Sequence, residues 1–409
     1  MTYDLLIIGG GVVGASLACA VAGQGLRIGL VEAQPLESAG QPGNDDRALA
    51  LAYGTRLVFE GLGLWQALSS TATPILQIHI SDRGRPGFAR LDSCEQGVEA
   101  LGYVIEARQL GTVLMDRLRT LPDIELLCPA SLETVTIHPD AAHARVGLDG
   151  GNHNLAARLL VAADGAHSQV RRQLGIEALR WDYDQTAVIA TVTPTLYHQH
   201  IAYERFTDWG PLALLPMIEG RCAVVCTVPK TAAEAILGLD EATFLTHLQA
   251  RFGDRLGRFQ QVGRRQAYPL FMVKAREHAR QRVAVIGNAA HTLHPIAGQG
   301  FNVGIRDVAT LAEVISDARR AGEDWGDARV LARYADWRRW DQRRAIAFTD
   351  GLTRLFSNPL APWRLARNLG LLAFDICPPA KRLLARQTMG LYGHLPRLAR
   401  GLPLVAGKP

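Results

Sequence analysis

Residues 4 to 32 constrain this chain more than any other stretch. An apolar run, Leu5-Leu6-Ile7-Ile8, leads into Gly9, Gly11 and Gly14 at G-x-G-x-x-G spacing, and a second apolar run, Ile28-Gly29-Leu30-Val31, ends in Glu32. The pattern predicts a buried strand, a glycine turn, a helix, a parallel strand and a terminal acid. Gly9 permits the tight turn, Gly11 lets backbone approach a pyrophosphate, and Gly14 lets the helix pack closely on the strand. The amides that open such a helix favour an anion, and Glu32 stands where a carboxylate accepts hydrogen bonds from an adenosine ribose. A membrane or signal segment is excluded, because Asp4 and no Lys or Arg precedes the run and three successive glycines interrupt it. The fingerprint leaves NAD and FAD open.

Later segments repeat the strand-turn-helix theme. Arg47 opens Ala48-Leu49-Ala50-Leu51-Ala52 and residues 54 to 64 have helical spacing, which leaves Arg47 either a cofactor contact or a solvated loop charge. Alternation over 74 to 82 predicts a strand, with a hairpin excursion to Gly97. Leu110, Val113, Leu114 and Leu118 predict a helix over 109 to 121, and three strands follow near 124–128, 132–138 and 143–149. A buried strand from Arg158 ends at Asp164-Gly165, before a helix start at 168 to 172. Another, Arg282 to Ile286, runs into Gly287-Asn288-Ala289-Ala290-His291 and on to Gly298-Gln299-Gly300-Phe301-Asn302 ahead of a helix carrying Val308, Leu311, Ala312 and Ile315. Polar groups at the carboxyl ends of such strands are where a doubly wound sheet binds ligands, and Gly298 and Gly300 can bring backbone amides against a pyrophosphate or a flavin ring. Residues 181 to 275 read instead as short β-branched strands with a helical patch from 231 to 252, an antiparallel sheet inserted into the α/β domain. Cys222 and Cys226 fall on one face of that sheet as packing residues. The six cysteines form no C-x-x-C pair, and His291 and His294 have no cysteine or carboxylate cluster beside them, so no metal is expected.

Three separated segments resemble the class A flavoprotein aromatic hydroxylases: the fingerprint with Glu32, the Asp164-Gly165 turn before Ser168, Val170 and Arg171, and the strand ending Gly287-Asn288-Ala289-Ala290-His291. The block His294-Pro295-Ile296-Ala297-Gly298-Gln299-Gly300-Phe301-Asn302-Val303-Gly304-Ile305-Arg306-Asp307 is similar to the signature of the branch that hydroxylates ubiquinone precursors. The resemblance implies FAD rather than NAD and an α/β, p-hydroxybenzoate hydroxylase-like fold. Residues 1–73, 100–180 and 276–345 would form the Rossmann-like FAD-binding domain, 74–99 and 181–275 a mainly antiparallel substrate sheet, and 346–409 a helical C-terminal region. By the same resemblance, Gly9, Gly11, Gly14 and Glu32 would bind the ADP half of FAD, with Arg47 and Arg108 near the pyrophosphate. Asp164 and Gly165 would fix backbone beside the dinucleotide, and Pro295 through Asn302, including Gly298, Gln299 and Gly300, would border the isoalloxazine. Asn288 would reach the ribityl chain. The wider family has Asp at that position, and an amide can still donate and accept. Together with Leu293-His294-Pro295 and Glu204-Arg205-Phe206-Thr207 before Gly210, Asn288 is similar to the subfamily acting on 2-polyprenyl-6-methoxyphenol.

The chemistry so implied is monooxygenation. NAD(P)H, bound transiently because no second fingerprint exists, reduces FAD, O2 adds at the flavin C4a carbon as a hydroperoxide, and one oxygen passes to a polyprenylated phenol. His294 is a weak candidate for the base that takes the phenol proton, if it titrates near neutrality. A structural role for the same residue stands beside that one. A sister hydroxylase acting at another ring position, a flavin-dependent prenyl reductase and a non-catalytic FAD-bearing scaffold share the pattern, whereas the W-x-W-x-I-P stretch of flavin halogenases is absent.

A net charge of +5 conceals an uneven distribution: residues 353–409 carry nine Lys or Arg against one acid, Asp375, so the rest is slightly acidic. Apolar residues interleave with these bases (Trp363, Leu365, Leu369, Leu371, Leu372, Phe374 and Ile376 with Arg364 and Arg367; Leu383 and Leu384 with Arg382 and Arg386). Amphipathic helices of this kind lie on an anionic membrane, on a partner, or on the protein's own body. The expected setting is therefore cytoplasmic, peripheral on the inner face of the cytoplasmic membrane, among other ubiquinone-biosynthesis proteins, with no nucleic-acid partner.

Overall fold

Leu5, Leu6 and Ile7 are wholly buried because the strand Thr2–Ile8 is flanked by parallel neighbours on both sides, Ile28–Val31 and Gly151–Ala162. The computed structural model describes residues 2–35, 47–148, 150–357 and 361–404, so most of the loop expected between Glu32 and Arg47 lies outside the described residues. The sheet runs in the order Ala279–Arg280, Val283–Val285, Gly151–Ala162, Thr2–Ile8, Ile28–Val31, Ile124–Leu127. Strands buried on both faces read as continuous apolar runs rather than alternating ones, which is why these segments stood out in the sequence.

The helices Val12–Val21, Ala107–Arg119 and Gln299–Arg320 share one apolar core with one face of this sheet. The meander Ala130–Ile137 and Ala142–Leu148 packs on the other face. Gly14 fixes the first helix at close range: a Cβ there would lie 1.9 Å from the Gly9 carbonyl oxygen.

A second sheet of nine strands is antiparallel except for one pair, Ile201–Thr207 alongside Gln77–Asp82. That parallel pairing joins the early hairpin of Gln77–Asp82 and Phe88–Asp92 to the strands between 178 and 275. Cys222 and Cys226 are both buried in its Cys222–Pro229 strand, where burial pushes their thiols up to about 12 and about 11 and keeps them protonated. A small sheet of Ala48–Ala52, Gly102–Glu106 and Thr73–Ile75 lies beside the cavity described below.

The chain ends in three helices, Ala328–Ser357, Ala361–Asp375 and Pro378–Thr388. Among the described residues no helix is long and apolar enough to cross a membrane. Much of the C-terminal region turns inward. Arg367 is buried and pairs with Asp82 at 3.2 Å, Lys381 is buried and pairs with Glu95 at 2.7 Å, and Phe374 and Leu384 pack against Leu91 and Leu101. These residues therefore do not form an outer amphipathic face; Leu369, Leu372, Ile376 and Leu383 remain exposed. The side chains of Trp363, Arg364 and Leu365 lie outside the described residues.

Candidate active site

Two helix starts without side-chain caps open onto one cavity of about 980 Å³. The first is the fingerprint helix, beginning after Gly11, whose Val12 and Val13 line the cavity. The second is the Gln299–Arg320 helix, which begins after Gly298 and contributes Gly300 and Phe301. Neither has an acid in its first turn, so both present their initial amides and positive dipole ends to whatever occupies the space.

Glu32 is held in place before any ligand arrives. One carboxylate oxygen accepts the Gly10 N–H at 2.7 Å and the other accepts the Gln34 N–H at 2.8 Å, which leaves lone pairs on both for ribose hydroxyls. The Ala163–Asp164 backbone lies directly against Gly9, where a Cβ would come within 2.9 Å of the Asp164 nitrogen. Asp164 Oδ2 accepts the N–H groups of Gln169 and Val170, while its Oδ1 is buried with no protein partner. A buried carboxylate oxygen without a donor is costly, and a hydroxyl-bearing ligand beside the fingerprint would satisfy it. Gly165 supplies the left-handed turn at φ 79° that follows.

Arg47 and Arg108 line one end of the cavity, joined through the Ala107 N–H to Arg47 carbonyl bond. Arg47 lies 5.0 Å over the Tyr268 ring, and Arg108 is oriented by Glu106 at 2.6 Å. Asn288 also lines the cavity, and its side-chain amide makes no protein hydrogen bond among the described residues.

The loop from 293 to 302 is fixed by hydrogen bonds from its own side chains. Asn302 accepts from the Ala52 N–H and the Thr55 hydroxyl and donates to the carbonyls of Ala50 and Gly298, all within 2.8 Å. Gln299 donates to the carbonyls of Ala297 and Thr388. Both residues shape the loop; the Asn302 amide is fully used in doing so, whereas Gln299 does it through Nε2 alone. Pro295, Ala297, Gly298 and Gly300 do line the cavity, Ala297 with a left-handed backbone at φ 56° that costs an alanine about 1–2 kcal/mol.

His294 does not behave as the sequence allowed. Its Nδ1 accepts the Ile296 N–H at 3.3 Å, its Nε2 faces Gln185 Oε1 at 3.3 Å, and the Tyr183 ring packs edge-on at 5.1 Å. Burial pushes its pKa down to about 4. With its lone pair in use and its ring away from the cavity lining, it is a neutral structural residue and not a base near neutrality. His291 is likewise structural: its Nε2 donates to Asp307 at 2.7 Å.

Glu204, which the sequence offered only within a resemblance motif and without a role, lines the same cavity from the Ile201–Thr207 strand. Burial pushes its carboxyl up to about 7 against a lowering contribution from the Ala297 N–H. The alternation Ala202, Glu204, Phe206, apolar except at its centre, carried the signal.

These features define a dinucleotide-binding α/β protein whose cofactor site opens into an apolar chamber. Residues 2–349 match the family described as the FAD binding domain, and the chain belongs to it. More narrowly, it belongs to the FAD-dependent aromatic-ring hydroxylases of the ubiquinone-biosynthesis branch. It is 40% identical to ubiquinone hydroxylase UbiL of Rhodospirillum rubrum, over 98% of this chain and 93% of that protein. It is 30% identical to 3-demethoxyubiquinol 3-hydroxylase of Escherichia coli, over 95% and 98%. The fold is also that of p-nitrophenol 4-monooxygenase PnpA from Pseudomonas putida, with a TM-score of 0.80 at 20% identity, covering 95% of this chain and 98% of that one. The residues at the site fit FAD: an anion-ready helix start, an anchored ribose acceptor, an unsatisfied Asp164 oxygen and a chamber continuous with both helix starts.

Proposed function

We propose that the protein hydroxylates the ring of a polyprenylated phenol in ubiquinone synthesis, with 2-polyprenyl-6-methoxyphenol as the leading substrate. The observation that carries this reading is the shape and lining of the cavity. Past the cofactor loop its walls are Ile78, Ile80, Ala89 and Leu91 of the inserted sheet on one side and Leu352, Leu371, Phe374 and Leu384 of the C-terminal helices on the other. This apolar end of the cavity, beyond the part that FAD would take up, suits a ring with an isoprenoid tail better than a simple phenol.

FAD, reduced by NAD(P)H, supplies the activated oxygen. The chain's task is to orient the ring against the 295–300 loop, to keep water out with the apolar sheet face, and to handle the phenol proton. Anaerobic reduction with NADH or NADPH, with and without 2-polyprenyl-6-methoxyphenol, followed by air and product mass analysis, tests the proposal. Product heavier by one oxygen atom supports it. Peroxide as the sole oxygen product with substrate present overturns it, and the position of the new hydroxyl separates this substrate from those of sister enzymes.

We propose also that the protein is peripheral on an anionic membrane, on the cytoplasmic face, through the outer side of the last two helices. Leu369, Leu372, Ile376 and Leu383 are exposed there next to exposed Arg382 and Arg386, while Leu371, Phe374 and Leu384 of the same helices line the cavity. One side of this wall meets solvent and the other meets the chamber, which supports the reading that a lipid-soluble substrate enters across these helices.

A further inference from the structure

We propose that Glu204 is the group that takes the proton of the substrate's ring hydroxyl. This deepens the function proposed above and rests on it.

Glu204 is an acid set into an apolar surface. Its strand alternates, so Ala202, Glu204 and Phe206 face the cavity, while Arg205 lies on the other face of the sheet. Its partners across the sheet are Ile80 on one side and Ala213 on the other, both also lining the cavity. Across the chamber it meets the turn at Ile296–Gly298, where the Ala297 N–H is the one group that favours its ionised form.

No cation pairs with Glu204 among the described residues. The other charged groups lining the cavity are occupied elsewhere: Arg108 with Glu106, Arg221 with Glu106 and Glu219, Arg367 with Asp82, and Arg47 over Tyr268. Arg264 also lines the cavity and contributes nothing to the ionisation of Glu204.

A carboxylate costs several kcal/mol in such a place when it has no cation beside it, so packing does not explain it. A gain in the reaction does. The carboxylate lines the same cavity as the Ile296–Gly298 turn, so a ring bound against that turn can bring its hydroxyl to it. Burial brings its proton affinity close to the working pH, which is where a general base is most effective.

The phenol O–H bond breaks, its electron pair stays on the phenol oxygen and enriches the ring, and the proton moves to a Glu204 oxygen. After the ring has gained one oxygen atom of O2, the displaced ring hydrogen leaves as a proton and goes into the water formed from the second oxygen atom, for which NAD(P)H supplies the electrons, and Glu204 returns the first proton to the phenol oxygen.

Glu204→Gln keeps the shape and removes the base, and Glu204→Asp keeps the base but withdraws it. The FAD-loaded proteins are compared by hydroxylation of a short-chain 2-prenyl-6-methoxyphenol. Binding of that phenol and of its O-methyl ether is followed between acid and alkaline pH through the flavin absorbance. Wild type is expected to lose rate below about pH 7 and to bind the phenol, but not the ether, with a matching pH dependence. Glu204→Gln should retain FAD, lose on the order of a hundredfold in hydroxylation rate and lose both pH dependences; Glu204→Asp should restore the acid limb at a lower rate. Wild-type rate and limb in Glu204→Gln, or identical pH behaviour of phenol and ether in wild type, would overturn the proposal. If no prenyl phenol is hydroxylated by wild type, the proposed function fails. The binding titration still decides Glu204, supporting it if the phenol-specific dependence vanishes in Glu204→Gln and refuting it if the dependence persists.

Discussion

Asp307 offers the sharpest test of what holds the cofactor loop in place. Its fully buried carboxylate accepts four hydrogen bonds: from the Gly287 N–H at 3.0 Å, His291 Nε2 at 2.7 Å, Arg338 Nε at 2.7 Å and Gln342 Nε2 at 3.0 Å. One side chain thereby ties the start of the 287–302 segment to both long helices. Burial alone would raise its pKa, but His291 and Arg338 outweigh that and hold it well below the ordinary carboxylate range. Asp307→Ala would leave Arg338, itself buried, with Asp341 as its remaining carboxylate. Breaking a buried pair costs about 3–5 kcal/mol, and the surviving Asp341 contact argues for the lower figure. At ~2 °C per kcal/mol for a large domain, thermal unfolding should fall by about 6 °C, with FAD retention falling too because Gly287 and Asn288 lose their anchor. Since the folded pKa is depressed, this contribution is complete above the unfolded carboxylate range and disappears only as pH falls through the folded value. Above the imidazole range, from pH 8 to 9, the loss in Asp307→Ala should therefore be constant. A melting temperature within a degree of wild type, or a deficit that changes across that interval, would refute the account of Asp307 as an ionised clamp.

Gly14→Ala places a methyl 1.9 Å from the Gly9 carbonyl; overpacking of about 1–3 kcal/mol should weaken FAD binding roughly ten- to hundredfold, read by flavin fluorescence on dilution. Leu371→Trp narrows the chamber where the C-terminal helix forms its wall, and should raise KM for long-chain prenyl phenols while sparing a short-chain analogue; equal effects on both would place the tail elsewhere. The paired change Ile376→Asp and Leu383→Asp, at residues 82% and 59% exposed, should abolish flotation with anionic vesicles without altering turnover of a short-chain substrate in detergent. Raised salt should weaken the wild-type interaction as the Arg382 and Arg386 contribution is screened, and unchanged flotation of the variant would remove these helices from the membrane proposal.

The parts of this protein that were legible in the sequence are those where local chemistry dictates the backbone. The apolar runs at 5–8, 28–31 and 159–162 become strands of the parallel sheet because each is buried on both faces. Gly9 and Gly14 read as a cofactor turn because only glycine tolerates the contacts found there. Roles assigned to polar side chains by position alone fared less well. Asn302 and Gln299 sit in the expected loop, yet their hydrogen bonds go to backbone and, for Asn302, also to the Thr55 hydroxyl. His294 becomes a buried, neutral loop fastener because a bulge in the strand Ala178–Pro194, between Asp182 and Gln185, brings Gln185 to its ring. No spacing rule encodes a contact between residues 185 and 294. The basic C-terminal stretch is similar: Arg367 looked like part of a charged outer face until the parallel strand pairing placed Asp82 beneath it.

Glu204 shows why long-range assembly changes functional meaning. In its own strand it is one acid beside Arg205, and an exposed edge strand would make nothing of it. Once Gln77–Asp82 pairs alongside and the 295–300 loop closes opposite, the same side chain faces a chamber walled by Ile80, Ala213 and Phe206. Its proton affinity then follows from burial in a chamber to which segments far away in the chain contribute, before and after it. Those residues set its chemistry through desolvation and not through charge. Substituting a polar side chain for Ile80 or Ala213 should therefore move the acid limb of activity downward without touching either the carboxylate or the flavin loop.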